Sequence, residues 1–100
     1  MTYVSMPRVR SQSQLWLDQV CPYIPDGHVV YIMFGVDRTV YYVGRTSNAK
    51  SRLAEHAREP LKRNLVTRLV IIPLATVEDM ISTELALIDA LNPVWNSGRQ

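Results

Sequence analysis

Two short stretches of the chain, Val29–Phe34 (VVYIMF) and Thr39–Val43 (TVYYV), concentrate β-branched and aromatic residues around a turn-forming Gly35-Val36-Asp37-Arg38. That composition predicts two strands closed as an antiparallel hairpin. A third run, Arg68–Leu74 (RLVIIPL), reads as another strand, with Pro73 near its end or on an edge because proline cannot donate to a ladder. Helical spacing fills the intervals. Ser11 or Ser13 caps a helix through about Val20, whose apolar residues are Leu15, Trp16, Leu17 and Val20. Pro22 and Pro25-Asp26-Gly27 stop it and turn the chain. Gly44 ends the second strand, and Ser47 or Asn48 caps a helix to about Arg58, limited by Pro60. Thr76 caps a last helix with Glu78 and Asp79 in its first turn, where the helix dipole favours acids. It runs to about Leu91 and stops before Pro93. The order α-β-β-α-β-α predicts an α+β fold, a small antiparallel sheet with helices packed on it.

A chain of 100 residues is expected to form one domain, 1–100, with residues 1–27 as an N-terminal helical extension and 28–97 as the core. Its 47% hydrophobic content excludes a disordered chain. No apolar run approaches the roughly 20 residues that cross a bilayer, and the N-terminal stretch has no apolar core of a signal peptide. An intracellular, cytoplasmic protein with no membrane partner is therefore expected. The single cysteine, Cys21, excludes an internal disulfide and a multi-cysteine zinc site, and suits a buried, inert thiol.

The net charge of +2 is unevenly spread. Between Arg45 and Arg68 stand Arg45, Lys50, Arg52, Arg58, Lys62, Arg63 and Arg68 against Glu55 and Glu59. From Leu69 to Gly98 there are only acids: Glu78, Asp79, Glu84 and Asp89. That asymmetry suggests one positive face suited to a polyanion, although taken alone a solvated helix surface is the better explanation.

Placed at about 100° per residue, Val77, Met80, Ile81, Leu85, Leu87, Ile88 and Leu91 of the last helix fill one arc. Glu84 falls within that arc, between Val77, Ile81 and Ile88. A carboxylate there must be protonated, paired or bound to a metal, because burying it bare costs several kcal/mol. A salt bridge to one of the many arginines and an anchor for a divalent cation are both open at this point. In the preceding helix Arg52 and His56 are four apart and share a face, beside the core stripe Ala49, Leu53 and Ala57. Arg52 thus sits at the margin of the buried face.

Taken together, these residues resemble the GIY-YIG nuclease superfamily. Val29-Val30-Tyr31 and Tyr42-Val43-Gly44 stand for its two triplets. Arg52 follows Gly44 by eight residues and His56 by four more, then come Glu84 on a late helix and Asn96 after "NP". The likeness spans about residues 28 to 97. Val29 replaces the first glycine of the GIY triplet, and Val43 stands for isoleucine.

The resemblance implies a three-stranded antiparallel sheet, one divalent metal, Mg²⁺ or Mn²⁺, and hydrolysis of DNA phosphodiesters. It implies that Tyr31 and Tyr42 flank the reactive phosphate, that Arg52 binds it, that Glu84 holds the metal and that Asn96 supports the site. Gly44 and Arg45 are expected near the scissile phosphate, and Lys50, Arg58, Lys62, Arg63 and Arg68 along the nucleic-acid backbone. Strand alternation can put Tyr31 and Tyr42 on one face, with Tyr41 directed the other way. Tyr31 is the leading general base, its phenolate favoured by Arg52, Arg45 and the metal, and His56, with an unperturbed pKa of about 6.5, is the competitor. Trp16 and Trp95 are read as packing residues and His28 as a strand-edge residue. Double-stranded or branched DNA is the implied partner. A second copy of the chain, as a homodimer, or a targeting protein is open as a further partner. The alternative function is a non-cleaving nucleic-acid-binding module or a subunit of a larger DNA-processing assembly.

Overall fold

The β-branched crowding at Val29–Phe34 produces the central element of the protein, strand β1 (His28–Phe34), in the computed structural model, which describes residues 11–96. The first ten residues of the expected extension and residue 97 of the expected core lie outside the described residues. Strands β2 (Val40–Thr46) and β3 (Arg68–Leu74) flank β1, both antiparallel to it, in the order β2-β1-β3. Being central, β1 has both faces covered. Val29, Tyr31 and Met33 pack with Trp16, Leu17 and Val20 of helix α1 (Gln12–Val20) and with Ala49, Leu53 and Ala57 of helix α2 (Ala49–Ala57). On the other face, Val30, Ile32 and Val43 pack with Met80 of helix α4 (Val77–Leu91). Truncating the fully buried Leu53 to alanine would cost about 3 kcal/mol.

Side-chain caps start these helices. Ser11 Oγ accepts from Gln14 N, Asn48 Oδ1 from Ser51 N, and Thr76 Oγ1 from Asp79 N. Helix α4 ends at Asn92 in the left-handed region (φ 47°), ahead of Pro93. Between α2 and β3 lies a short helix, α3 (Pro60–Leu65), opened by Pro60 in the first turn, where a missing N–H costs nothing. Pro60 therefore separates two helices. Six residues are too few for a periodic pattern to reveal the second.

Three local expectations are corrected. Gly44 does not end β2; it lies inside the strand, opposite Tyr31, and pairing continues to Thr46. Tyr41 does not point away from Tyr42. The β1–β2 register slips between Met33 and Phe34, and this bulge lets both tyrosines pack on the α1–α2 core. The apolar arc of α4 is divided. Met80 and Glu84 are buried and Leu87 and Ile88 pack on the sheet, while Val77, Ile81 and Leu85 are exposed, because one side of a helix covers this narrow sheet.

Trp16 is a core residue whose indole N–H donates to Val66 O. Trp95 stacks on Tyr41 with centroids 4.6 Å apart. Cys21 is a buried free thiol, its pKa raised by burial. No helix among the described residues is long and apolar enough to cross a membrane.

Candidate active site

The outer edge of β2 is partly sealed by the segment after α4. Val94 N donates to Val40 O and Trp95 N to Tyr41 O. Asn96 then binds Val43 at both ends, its Oδ1 accepting from Val43 N at 2.9 Å and its Nδ2 donating to Val43 O at 3.1 Å. Among the described residues this cover stops at Val43, immediately before Gly44 and Arg45. Asn96 thus touches β2, and both polar ends of its side chain are engaged there.

On the α1–α2 face, opposite Gly44, three rings meet. Tyr31 lies 6.1 Å from Tyr42 and 5.6 Å from His56, and His56 lies 5.7 Å from Tyr42, all between ring centroids. Tyr31 Oη and His56 Nε2 are 2.9 Å apart. Gly44 makes the cluster fit, because a β-carbon there would collide with the end of the Tyr31 ring. The other ring nitrogen, His56 Nδ1, is 2.6 Å from Lys62 Nζ, and that ammonium is paired with Glu59 at 3.1 Å.

Burial raises the Tyr31 pKa well above its ordinary value. Tyr42 adds to the rise, Arg52 opposes it, and Glu84 and Glu55 add to it again. Arg52 favours the phenolate, as expected of a neighbouring cation, but burial outweighs it. Burial, with the Lys62 charge next, lowers His56 to about 4, so the imidazole is neutral at neutral pH. Arg52 acts on both rings electrostatically while its side chain stays 49% exposed, in a loose pair with Glu55 at 3.9 Å.

On the α4 face Glu84 is buried, its side chain 8% exposed, and Arg45 Nε lies 3.3 Å from its Oε1. Arg45 stands opposite Val30 and so projects toward α4, whereas Gly44 stands opposite Tyr31. The aromatic cluster and the carboxylate thus flank the same two residues of edge strand β2 from opposite faces of the sheet. Glu84 is near enough for its charge to act on Tyr31.

The remaining cations are dispersed. Lys50 is exposed and 3.9 Å from Asp26. Arg58 lines a hollow with Ser11 and Ser13 on the α1 side. Arg63 Nη1 donates to Ala57 O at the end of α2. Arg68 lies over the Phe34 ring. Lys62 is turned inward, 16% exposed, against His56. His28 Nδ1 contacts Ser47 Oγ at the start of β1. The Lys62–His56 contact crosses the Pro60 turn, and only the Glu59/Lys62 spacing hints at it in the sequence. The Arg45–Glu84 pair has no local signature at all.

Residues 27–97 match the GIY-YIG catalytic domain. The chain belongs to the GIY-YIG family. The match covers most of the chain and agrees with the three-stranded antiparallel sheet and flanking helices. It supports a nuclease-type function, in a family that works with a divalent metal. No curated protein matches the sequence. Among the described residues no group of three or more His, Cys, Asp or Glu could hold a metal ion. The donors among the described residues of this GIY-YIG domain therefore do not form a zinc site, which needs three or four such ligands. A single buried carboxylate does fit a hard cation such as Mg²⁺, which keeps most of its waters and shares substrate phosphate oxygens.

Proposed function

We propose that this domain is a metal-dependent endonuclease that hydrolyses phosphodiester bonds in double-stranded or branched DNA. The observation that carries the reading is the convergence of two chemistries on the Gly44–Arg45 edge: a hydrogen-bonded Tyr31–His56 pair on one face and the buried Glu84 on the other. A phosphate lying along that edge meets both.

Hydrolysis forms a bond between a water oxygen and phosphorus while the bond from phosphorus to the 3′ oxygen breaks. The water proton passes to Tyr31 in its phenolate form or to the neutral imidazole of His56, and the 3′ oxygen takes a proton from solvent. Arg52, half exposed beside the rings, can turn its forked guanidinium onto two phosphoryl oxygens and hold them through the transition state. Tyr42 borders the phosphate beside Tyr31. Arg45 can exchange its pairing with Glu84 for a phosphate oxygen, which leaves the carboxylate for Mg²⁺ or Mn²⁺. When bound, that cation neutralises phosphoryl charge and stabilises the leaving oxygen. Lys50, Arg58 and Arg68 contribute salt-dependent, sequence-independent attraction for the backbone. One such site cuts one strand, so a double-strand break takes two events or a second copy.

A nicking assay on supercoiled plasmid and branched DNA, with Mg²⁺, Mn²⁺ or EDTA, tests the reading. Metal-dependent nicking that is lost in Glu84→Ala and Arg52→Ala is expected. Cleavage persisting in EDTA, or in Glu84→Ala at the wild-type rate, overturns the mechanism. The second reading, a non-cleaving nucleic-acid-binding module, draws on the Arg45 cation already neutralising Glu84. Salt-dependent binding without cleavage under every metal would select it.

A further inference from the structure

We propose that Lys62 is a positioning residue of this site. Its ammonium donates to Nδ1 of His56 and fixes the ring as the Nε2–H tautomer. That N–H then donates to Tyr31 Oη and leaves Tyr31, in its phenolate form, rather than His56 as the proton acceptor at the phosphate. The catalytic consequence rests on the nuclease reading above; the tautomer does not.

The argument is one of hydrogen-bond inventory. A lysine ammonium has three donors and no acceptor, so the ring nitrogen 2.6 Å from it must present its lone pair. A neutral imidazole has one N–H, and with Nδ1 accepting, that hydrogen is on Nε2. Nε2 is 2.9 Å from Tyr31 Oη, so the tyrosine oxygen is the acceptor in that bond. The imidazole is neutral near pH 7, as this requires, because burial and the Lys62 charge hold its pKa down to about 4.

Lys62 is itself held in place. Both Glu59 carboxylate oxygens lie 3.1 Å from Nζ, and the Tyr42 and Trp95 rings stand 5.9 and 6.0 Å away. A lysine on the DNA-facing surface for phosphate contact would be free to extend; this one is 16% exposed. His56 in this state has neither nitrogen open to a water: one lone pair faces Lys62 and the other nitrogen carries a proton. Its N–H instead stabilises negative charge on the Tyr31 oxygen, which offsets part of the desolvation that disfavours the phenolate.

The test is a two-bond ¹H–¹⁵N correlation spectrum of the ¹⁵N-labelled full chain near neutral pH, for wild type, Lys62→Met and Lys62→Arg. Wild type is expected to show His56 protonated at Nε2 and bare at Nδ1. Lys62→Met should move the population toward Nδ1–H, and Lys62→Arg, also a donor-only cation, should restore the wild-type pattern. In the nicking assay Lys62→Met should lower kcat roughly a hundredfold, the lower range for a positioned proton acceptor, with KM for DNA little changed and activity recovered in Lys62→Arg. A wild-type His56 carrying its proton on Nδ1, or the same tautomer with and without the Lys62 ammonium, overturns the proposal. The expected tautomer in a protein that never nicks DNA would instead overturn the nuclease reading and leave the positioning role standing. Should Lys62→Met fail to fold, the wild-type and Lys62→Arg spectra still decide the tautomer.

Discussion

Gly44 faces Tyr31 across the β1–β2 ladder, and the end of the Tyr31 ring occupies the space that a side chain at 44 would take. The glycine is therefore a steric requirement of the Tyr31–His56 hydrogen bond. Gly44→Ala should push Tyr31 away from His56. The overpacking is expected to cost about 1–3 kcal/mol, read from the urea midpoint, together with loss of nicking. An alanine variant with wild-type stability and activity would show that the ring moves aside freely.

Asn96 is expected to be worth more to stability than a typical surface asparagine. It satisfies both backbone groups of Val43 from a buried position. Asn96→Ala leaves that N–H and C=O without partners at the sheet edge, at about 2 kcal/mol. Chemical denaturation measures the loss, and hydrogen exchange at Val43 locates it. Asn96→Asp, which keeps an acceptor but no donor, should fall between the two.

Glu84→Gln separates the structural role of the carboxylate from its chemical one. The amide keeps the volume and can still accept from Arg45, which is 41% exposed and free to rehydrate. Stability should change by less than about 1 kcal/mol, because the charge left without its partner is the partly exposed Arg45 rather than a buried one. Mn²⁺ binding followed by electron paramagnetic resonance should weaken at least roughly tenfold, as a charged hard-oxygen ligand is lost. Unchanged Mn²⁺ affinity would remove Glu84 from the metal site.

The acid side of the stability profile should carry the signature of His56. Its folded pKa, about 4, lies below the ordinary 6.5, because burial and the Lys62 charge oppose a second cation there. Between those values the unfolded chain binds a proton that the folded chain does not. Stability contributed by the neutral ring is therefore present above pH 6.5 and is lost as pH falls toward 4. The loss amounts to about 3 kcal/mol at most, from about 1.4 kcal/mol per pKa unit. Denaturant midpoints across that window should fall less steeply in His56→Gln than in wild type. Nicking should also rise with pH above neutrality, since the raised Tyr31 pKa makes its phenolate a minority form.

Much of this fold was legible in local sequence. Runs of β-branched and other apolar residues, with aromatics in the first two, marked all three strands. Thr76 marked one helix start, and the structure chose Ser11 and Asn48 from the pairs Ser11/Ser13 and Ser47/Asn48 that the sequence offered for two more. The spacing from Tyr31 through Tyr42, Arg52, His56 and Glu84 to Asn96 was enough to suggest the family. These features depend on neighbours within a few residues, or on residue order along the chain.

Partner choice was decided by the tertiary structure. Glu84 meets Arg45 rather than any other arginine because Arg45 projects to the α4 face of β2 while Gly44 faces Tyr31. Tyr41 and Tyr42 share a core because one register slip in β2 defeats the strict alternation read from the sequence. Lys62 turns inward because the unforeseen helix α3 carries it back to His56. Val77, Ile81 and Leu85 stay exposed because periodicity gives the width of an apolar face, whereas the sheet beneath sets how much of it is covered. Hydrophobic pattern and turn chemistry are local quantities that a sequence displays directly. Which charge neutralises which depends on how the strands and helices pack, and that was settled when β2, α3 and α4 closed around the sheet.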